Sequence, residues 1–262
     1  MLKRRLIPVL YLKNGLIVRS EGFNYHQNLG DPVSEVSRYN DWNVDELIYI
    51  DISREKNYDL RRDDLKVTVK KRLLDIMKDI SKVCFAPLAF GGGIRTIDDI
   101  RERIQGGADK VVINTIAIEN PSFIRESSER FGSQCIVVSI DYKYINGKPR
   151  VYKGGVVETD LDPVEWAVEA ERRGAGEIFL NSIDRDGAAE GYDIELIKLL
   201  SGAVTIPVIA CGGAGRFDDF VALAKKTNVS AIAAGNIFHF TELAYPRAKE
   251  VLAADSINIR KG

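Results

Sequence analysis

Short runs rich in Val and Ile recur eight times along this chain, and each is followed by a longer stretch whose apolar residues fall three and four apart. Alternation of short apolar runs with segments of helical spacing marks β-strands separated by helices, which points the chain to an α/β fold with a parallel sheet. Strands are expected at residues 6–12, 47–52, 86–90, 111–114, 136–141, 178–181, 207–210 and 231–234. Helices are expected to begin near Pro32, Val67, Ile97, Pro121, Pro163, Ile194, Phe217 and Thr241. Three of these starts read Asp31-Pro32, Asn120-Pro121 and Asp162-Pro163. Each offers a capping side chain followed by a proline whose missing N–H costs nothing in the first helical turn.

Eight strand–helix units in 262 residues, with no Pro-, Gly- or Ser-rich linker between them, suit a closed barrel better than an open sheet. The expectation is one α/β domain over residues 1–262, a single (β/α)8 TIM barrel. An internal repeat supports it. Gly91-Gly92-Gly93-Ile94-Arg95-Thr96-Ile97-Asp98-Asp99 returns 121 residues later as Gly212-Gly213-Ala214-Gly215-Arg216-Phe217-Asp218-Asp219. That period is far too long for a solenoid, and it reads as two half-barrels, roughly 1–131 and 132–262. Three connections look long, 13–30, the charge-dense 53–66, and 142–162 with its Asn146-Gly147 turn. In a barrel these lie over the catalytic face.

Basic and acidic residues number 37 and 38, so no global field draws this chain to nucleic acid or a membrane surface. Any charged ligand must be held locally. Cys84, Cys135 and Cys211 form neither a disulfide framework nor a metal knuckle, which fits the cytoplasm. With only His26 and His239, no multi-histidine metal site and no metal or other cofactor is expected. Residues 6–12 after Lys3, Arg4 and Arg5 are too short for a signal or a membrane span.

Each glycine run follows a strand and opens a helix, so its backbone N–H groups can face an anion. The competing reading is that Gly92 and Gly213 only permit tight turns. Asn114-Thr115 and Asp186-Gly187 would complete two cups, suited to a bis-phosphate or to the diphosphate of a nucleotide sugar. For acid–base work the carboxylates that end barrel strands are Asp51 and Asp141, with Asp184 or Asp186 a further possibility beside Arg185. Under the half-barrel symmetry Tyr11 answers Asp141, and a phenol cannot act as an ionised base at neutral pH without a large perturbation. Cys211 has no histidine nearby in sequence to activate it, His239 reads as a packed residue, and His26 lies in the aromatic first loop with Phe23 and Tyr25.

From Arg5-Leu6-Ile7-Pro8 onward the chain resembles the cyclase subunit of imidazole glycerol phosphate synthase, the barrel partner of a glutaminase in histidine biosynthesis. The motifs that carry the resemblance include Gly30-Asp31-Pro32, Gly91-Gly92-Gly93-Ile94-Arg95, Ile113-Asn114-Thr115, Ser182-Ile183-Asp184-Arg185-Asp186-Gly187, Gly191-Tyr192-Asp193 and Gly212-Gly213-Ala214-Gly215. The resemblance implies ring closure with ammonia delivered through the barrel by two aspartates, of which Asp141 is kept and the other falls on Tyr11. The loop lysine of the family falls on Arg19. Phosphate groups would be held by Gly92, Gly93, Asn114 and Thr115 on one side, and by Asp186, Gly187, Gly212, Gly213, Ala234 and Gly235 on the other. Arg5, Glu46, Lys110 and Glu177 match the charged gate for ammonia, and Asp109 matches a contact to the glutaminase. Without the resemblance, all five would read as ordinary charges at strand ends.

These features imply an ammonia-using synthase subunit working with a class I glutaminase on a phosphorylated small molecule. In lacking the first aspartate the chain resembles paralogues of the family associated with surface polysaccharide, and that resemblance implies a subunit turned toward amidino-sugar synthesis. A cyclase of histidine biosynthesis that tolerates Tyr11 is the alternative, and a non-catalytic barrel that activates a glutaminase is the third.

Overall fold

The computed structural model describes residues 3–53, 58, 72–240 and 242–260. Its strands are β1 (Arg5–Lys13), β2 (Leu16–Glu21), β3 (Tyr25–Gly30), β4 (Leu47–Asp51), β5 (Leu88–Gly91), β6 (Lys110–Ile113), β7 (Ile136–Ile145), β8 (Lys148–Lys153), β9 (Val157–Glu158), β10 (Glu177–Ser182), β11 (Val208–Cys211) and β12 (Ala231–Ala234). Eight of them pair in parallel in the order β1, β4, β5, β6, β7, β10, β11, β12. β12 then returns to β1 through Arg5↔Ala231, closing the barrel. Closure leaves the eight-stranded barrel itself without a free edge, and among the described residues the edges that remain are β3 and β9 of the rim hairpins. All eight expected strands are present, with ends shifted by a few residues.

The helices are α1 (Pro32–Asp41), α2 (Leu73–Val83), α3 (Ile97–Gln105), α4 (Thr115–Glu119), α5 (Ser122–Phe131), α6 (Pro163–Arg172), α7 (Ile194–Ala203), α8 (Phe217–Lys226), α9 (Ile237–Phe240) and α10 (Ala244–Ala254). Asp31 accepts from the N–H groups of Val33 and Ser34, and Asp162 from those of Val164 and Glu165. Asn120 departs from that pattern. It ends α4, its side-chain oxygen accepts from the Ser122 hydroxyl, and α5 starts without a side-chain cap. The short α4 uses Asn120 as a terminator before the chain can use it as a cap. The starts expected near Val67 and at Thr241 lie outside the described residues, as does most of the 53–66 connection.

Two apolar layers hold the fold. The outer layer packs the alternate, outward residues of the strands (Leu6, Leu10, Leu47, Phe90, Ile178, Leu180) against the helices. The inner layer fills the barrel with Ile7, Val9, Ala89, Val112, Phe179 and Ala233, among others. Period-two alternation thus assigns Arg5, Ile7, Val9 and Tyr11 of β1 to the interior, and likewise Glu177, Phe179 and Asn181 of β10.

Two of the long connections are hairpins. β1 continues past the rim and pairs antiparallel with β2 (Tyr11↔Val18, Lys13↔Leu16), and β7 does the same with β8 (Asp141↔Tyr152, Ile145↔Lys148). Each reverses at an Asn-Gly pair with positive φ at both residues, 51° and 79° at Asn14-Gly15 and 50° and 76° at Asn146-Gly147. That is the type I′ geometry matched to the twist of antiparallel strands. Among the described residues no helix is long and apolar enough to cross a membrane.

Candidate active site

At the end of the barrel where the strands begin, Arg5, Glu46, Lys110 and Glu177 form a closed ring of ion pairs. Arg5 bonds both Glu46 and Glu177. Lys110 Nζ reaches Glu46 at 2.9 Å and Glu177 at 2.8 Å. Both glutamates are buried, at 2% and 4% exposed, so each carboxylate depends on two cations for compensation. Four residues from four separate stretches of sequence therefore converge, which solvent-facing charges need not do. Asp109 stands beside the ring but works locally, accepting the Leu88 N–H at 2.8 Å at the start of β5.

At the opposite end, Tyr11, Asp141, Asn181, Asp186 and Cys211 gather over the apolar interior. Asp141 accepts from the Asn114 amide at 3.2 Å and the Ser139 hydroxyl at 3.1 Å. Burial lifts its carboxyl to about 7, against the pull of the Ser139 bond and with help from the charge of Asp186. A carboxyl that exchanges its proton near neutrality is suited to acid–base work. Tyr11 is held by the Asn181 Nδ2, which donates to its hydroxyl at 3.0 Å. Burial, and then the neighbouring Cys211 and Asp186, push its phenol well above the ordinary value, so Tyr11 stays protonated. It can donate a hydrogen bond or a proton but cannot serve as the base.

Asp51 sits apart from this group and is spent on its own surroundings. Its carboxylate accepts from the Ser53 N–H at 2.9 Å and the Tyr58 hydroxyl at 3.0 Å. Burial raises its carboxyl, an effect that the hydrogen bonds from Ser53 and Tyr58 and the Arg103 charge oppose. The Cys211 thiol is also pushed up, chiefly by burial, and remains an unreactive thiol. Burial lowers His239 to about 4, and Arg38 adds to the effect, so the imidazole is neutral. His26 lies 3.3 Å from Lys13 Nζ on the first hairpin, away from Asp141.

Most of the rim glycines have a steric reason to be glycine. A Cβ at Gly92 (φ +101°) would stand 2.1 Å from the Asp51 carbonyl oxygen, and one at Gly213 (φ +107°) 2.1 Å from that of Gly191. Gly212 presses on Ser182, and Gly187 on Ser20 and Glu21 of the first hairpin. Gly93 is different, because a Cβ there would find only Arg103 at 3.9 Å. Gly235 stands against the Val9 carbonyl oxygen, after the buried Ala234. Asn114 gives its amide to Asp141 and accepts from the Gly154 N–H at 2.7 Å, and Thr115 lies under the same turn. Asp186 takes the Ser20 hydroxyl at 2.6 Å and the Phe23 N–H at 3.3 Å, fastening the first hairpin to the rim. Arg19 pairs with Glu21 and stacks over Phe240, 5.3 Å from the ring centre.

The two hairpins meet above Tyr11. Phe23 lies edge-on to the Tyr11 ring at 6.2 Å, and a Cβ on Gly155 would stand 2.6 Å from the Phe23 ring. Asn181 and Ser139 are the site residues that reading the sequence passed over. The signal for Asn181 was its inward register with Glu177 and Phe179 on one strand, an asparagine where an apolar residue was due.

A family model described as histidine biosynthesis protein matches residues 5–244. Three similar relatives each bear the name imidazole glycerol phosphate synthase subunit HisF. The one from a Hydrogenobaculum species is 44% identical over 262 residues, 99% of this chain and all of the relative. That of Sulfurisphaera tokodaii is 42% identical over 261 residues, 99% of this chain and all of its own. That of Alkaliphilus metalliredigens is 41% identical over 265 residues and covers both chains completely.

Proposed function

This chain belongs to the histidine biosynthesis protein family, and from that premise we propose that it is the HisF-type synthase subunit of an imidazole glycerol phosphate synthase. In this reading it uses ammonia supplied by a glutaminase partner to close a ring on a phosphorylated substrate. The observation that carries it is axial. A closed ring of four charges stands at one end of the barrel and the neutral-range carboxyl of Asp141 at the other, with apolar side chains between. Among the described residues, ammonia admitted at Arg5, Glu46, Lys110 and Glu177 passes apolar side chains and the Ser139 hydroxyl, which is already committed to Asp141, before it reaches Tyr11 and Asn181. There Asp141 takes or gives the proton, and Tyr11 serves as a hydrogen-bond donor.

Relatives that match over their full length carry the HisF name, which supports the histidine-pathway substrate over the amidino-sugar reading. Tyr11 is the one observation that favours the second reading, the same ammonia chemistry on another phosphorylated acceptor. The glycine loops, with Asn114, Thr115, Asp186 and Gly235, are proposed as the phosphate-holding rim, chiefly through backbone N–H groups because Asn114 and Asp186 already spend their side chains.

The test is turnover of the histidine-pathway substrate with ammonium salts, and then with glutamine and the cognate class I glutaminase. Cyclisation that Asp141→Asn abolishes supports the first reading. A folded, glutaminase-binding protein with no turnover overturns it in favour of another acceptor.

A further inference from the structure

Asn181 is 2% exposed, and its Oδ1 has no hydrogen-bond partner among the described residues. Its other amide atom is fully engaged, since Nδ2 donates to Tyr11 at 3.0 Å and the same amide favours the ionised form of Asp141. The side chain is thereby locked with its acceptor bare. Buried acceptors are almost always satisfied, and one left bare in a rigid setting marks a place where a donor arrives from outside the chain. The surroundings define that donor. Asn181 points into the barrel in register with Phe179 and with Glu177 of the charged ring. Tyr11 and Phe23 lie above it toward the mouth. A bulky phosphorylated molecule coming from the mouth meets those rings first, whereas a small donor moving along the barrel interior reaches Asn181 once past the layer of Phe179 and Ser139.

We propose that Asn181 Oδ1 is the docking acceptor for the ammonia nitrogen, holding it by one N–H beside Tyr11 and Asp141 at the end of the barrel axis. The proposal rests on the ammonia-using reading above and adds to it the residue that receives the nucleophile. Ammonia suits the position because it brings three N–H donors and keeps its lone pair free. With one N–H given to Asn181 Oδ1, the lone pair points away from that oxygen and stays free to attack a substrate held at the rim. Water also fits a bare acceptor, and the comparison of ammonium with sodium below separates the two.

The first measurement does not depend on turnover. In protein labelled with nitrogen-15, the Asn181 side-chain amide resonance is followed during titration with ammonium chloride in mildly alkaline buffer, against sodium chloride at equal ionic strength. A saturable shift specific to ammonium is expected at Asn181 and not at Asn40, whose amide is bound to the Val83 carbonyl on the far face. No shift, or the same shift with sodium, overturns the proposal. A saturable shift in a protein that fails to cyclise the histidine-pathway substrate would sink the proposed substrate and leave the docking role standing. The second measurement is a KM split. Asn181→Leu is expected to raise the KM for ammonium about 3- to 10-fold, the loss of one neutral hydrogen bond, with the KM for the phosphorylated substrate unchanged. Asn181→Thr, which keeps an acceptor oxygen, should recover most of that loss. Equal changes in both KM values would mark Asn181 as merely structural.

Discussion

Tyr11 concentrates the chemical question into a single side chain. Exchanging it for aspartate would put a second carboxylate beside Asp141 and Asp186, an arrangement in which neighbouring acids share protons and separate in strength. Tyr11→Asp is therefore expected to raise cyclisation of the histidine-pathway substrate about 10²- to 10⁴-fold, the usual worth of a positioned acid or base. It would also forfeit ring packing at roughly 3–5 kcal/mol, so melting must be followed beside turnover. An unchanged rate in a folded variant would show that a second carboxylate is not what limits this site. Asp141 makes a pH prediction. Its carboxyl titrates at about 7 in the folded chain, above the ordinary unfolded value near 4. The folded state thus binds the extra proton between those values, and stability is highest below the unfolded value and falls as pH rises through 7. Asp141→Asn should raise the melting temperature at pH 8 and leave it nearly unchanged in acid, a contrast that scanning calorimetry would read. Asp141 was legible in the sequence because a carboxylate delivered to the rim by an apolar strand run stands out, whereas Arg5, Glu46, Lys110 and Glu177 were marked only by the family resemblance, since each alone reads as an ordinary charge at a strand end. Asn181 was not legible, because one amide inside a strand carries no motif and its orphaned acceptor exists only once Tyr11 is folded against it.

Among the elements, the clearest lesson comes from two Asx-Pro pairs that look alike on paper. Asp162 caps α6 through two backbone N–H groups, whereas Asn120 ends α4 and caps nothing through its side chain. Asp162→Ala is accordingly expected to cost about 1 kcal/mol and lower the melting temperature by roughly 2–4 °C, and Asn120→Ala less. Equal losses would contradict the assigned caps. The sequence spelled out every barrel strand because strands buried on both faces read as short continuous apolar runs, a strong and local signal. It was less explicit about the hairpins. Asn146-Gly147 announced the second, and the same dipeptide at Asn14-Gly15 announced the first in a loop read only as long. The pairing of β2 with β3, and the meeting of Phe23 with Gly155, depend on contacts across the mouth that no local pattern encodes.

For the molecule as a whole, the charge ring is a point of vulnerability as well as a design element. Arg5→Met would leave two buried glutamates sharing Lys110, an uncompensated charge worth about 3–5 kcal/mol, and a loss of at least about 6 °C in melting temperature follows for a barrel of this size. Arg101→Met, which breaks the exposed pair with Asp98, should stay within about 0.5 kcal/mol. A comparable loss in both would mean that the ring is ordinary surface charge. The ring has a mechanical consequence too. β1 and β10 are not neighbours in the sheet, yet they are tied across the barrel twice, by Arg5 with Glu177 at one end and by Tyr11 with Asn181 at the other. Two ties between staves three places apart resist flattening of the cylinder as cross-bracing resists shear in a frame. The gap in which Tyr11 faces Asn181 is consequently gauged at both ends of the molecule, and a change in the lower brace would be read as altered calibration in the upper one.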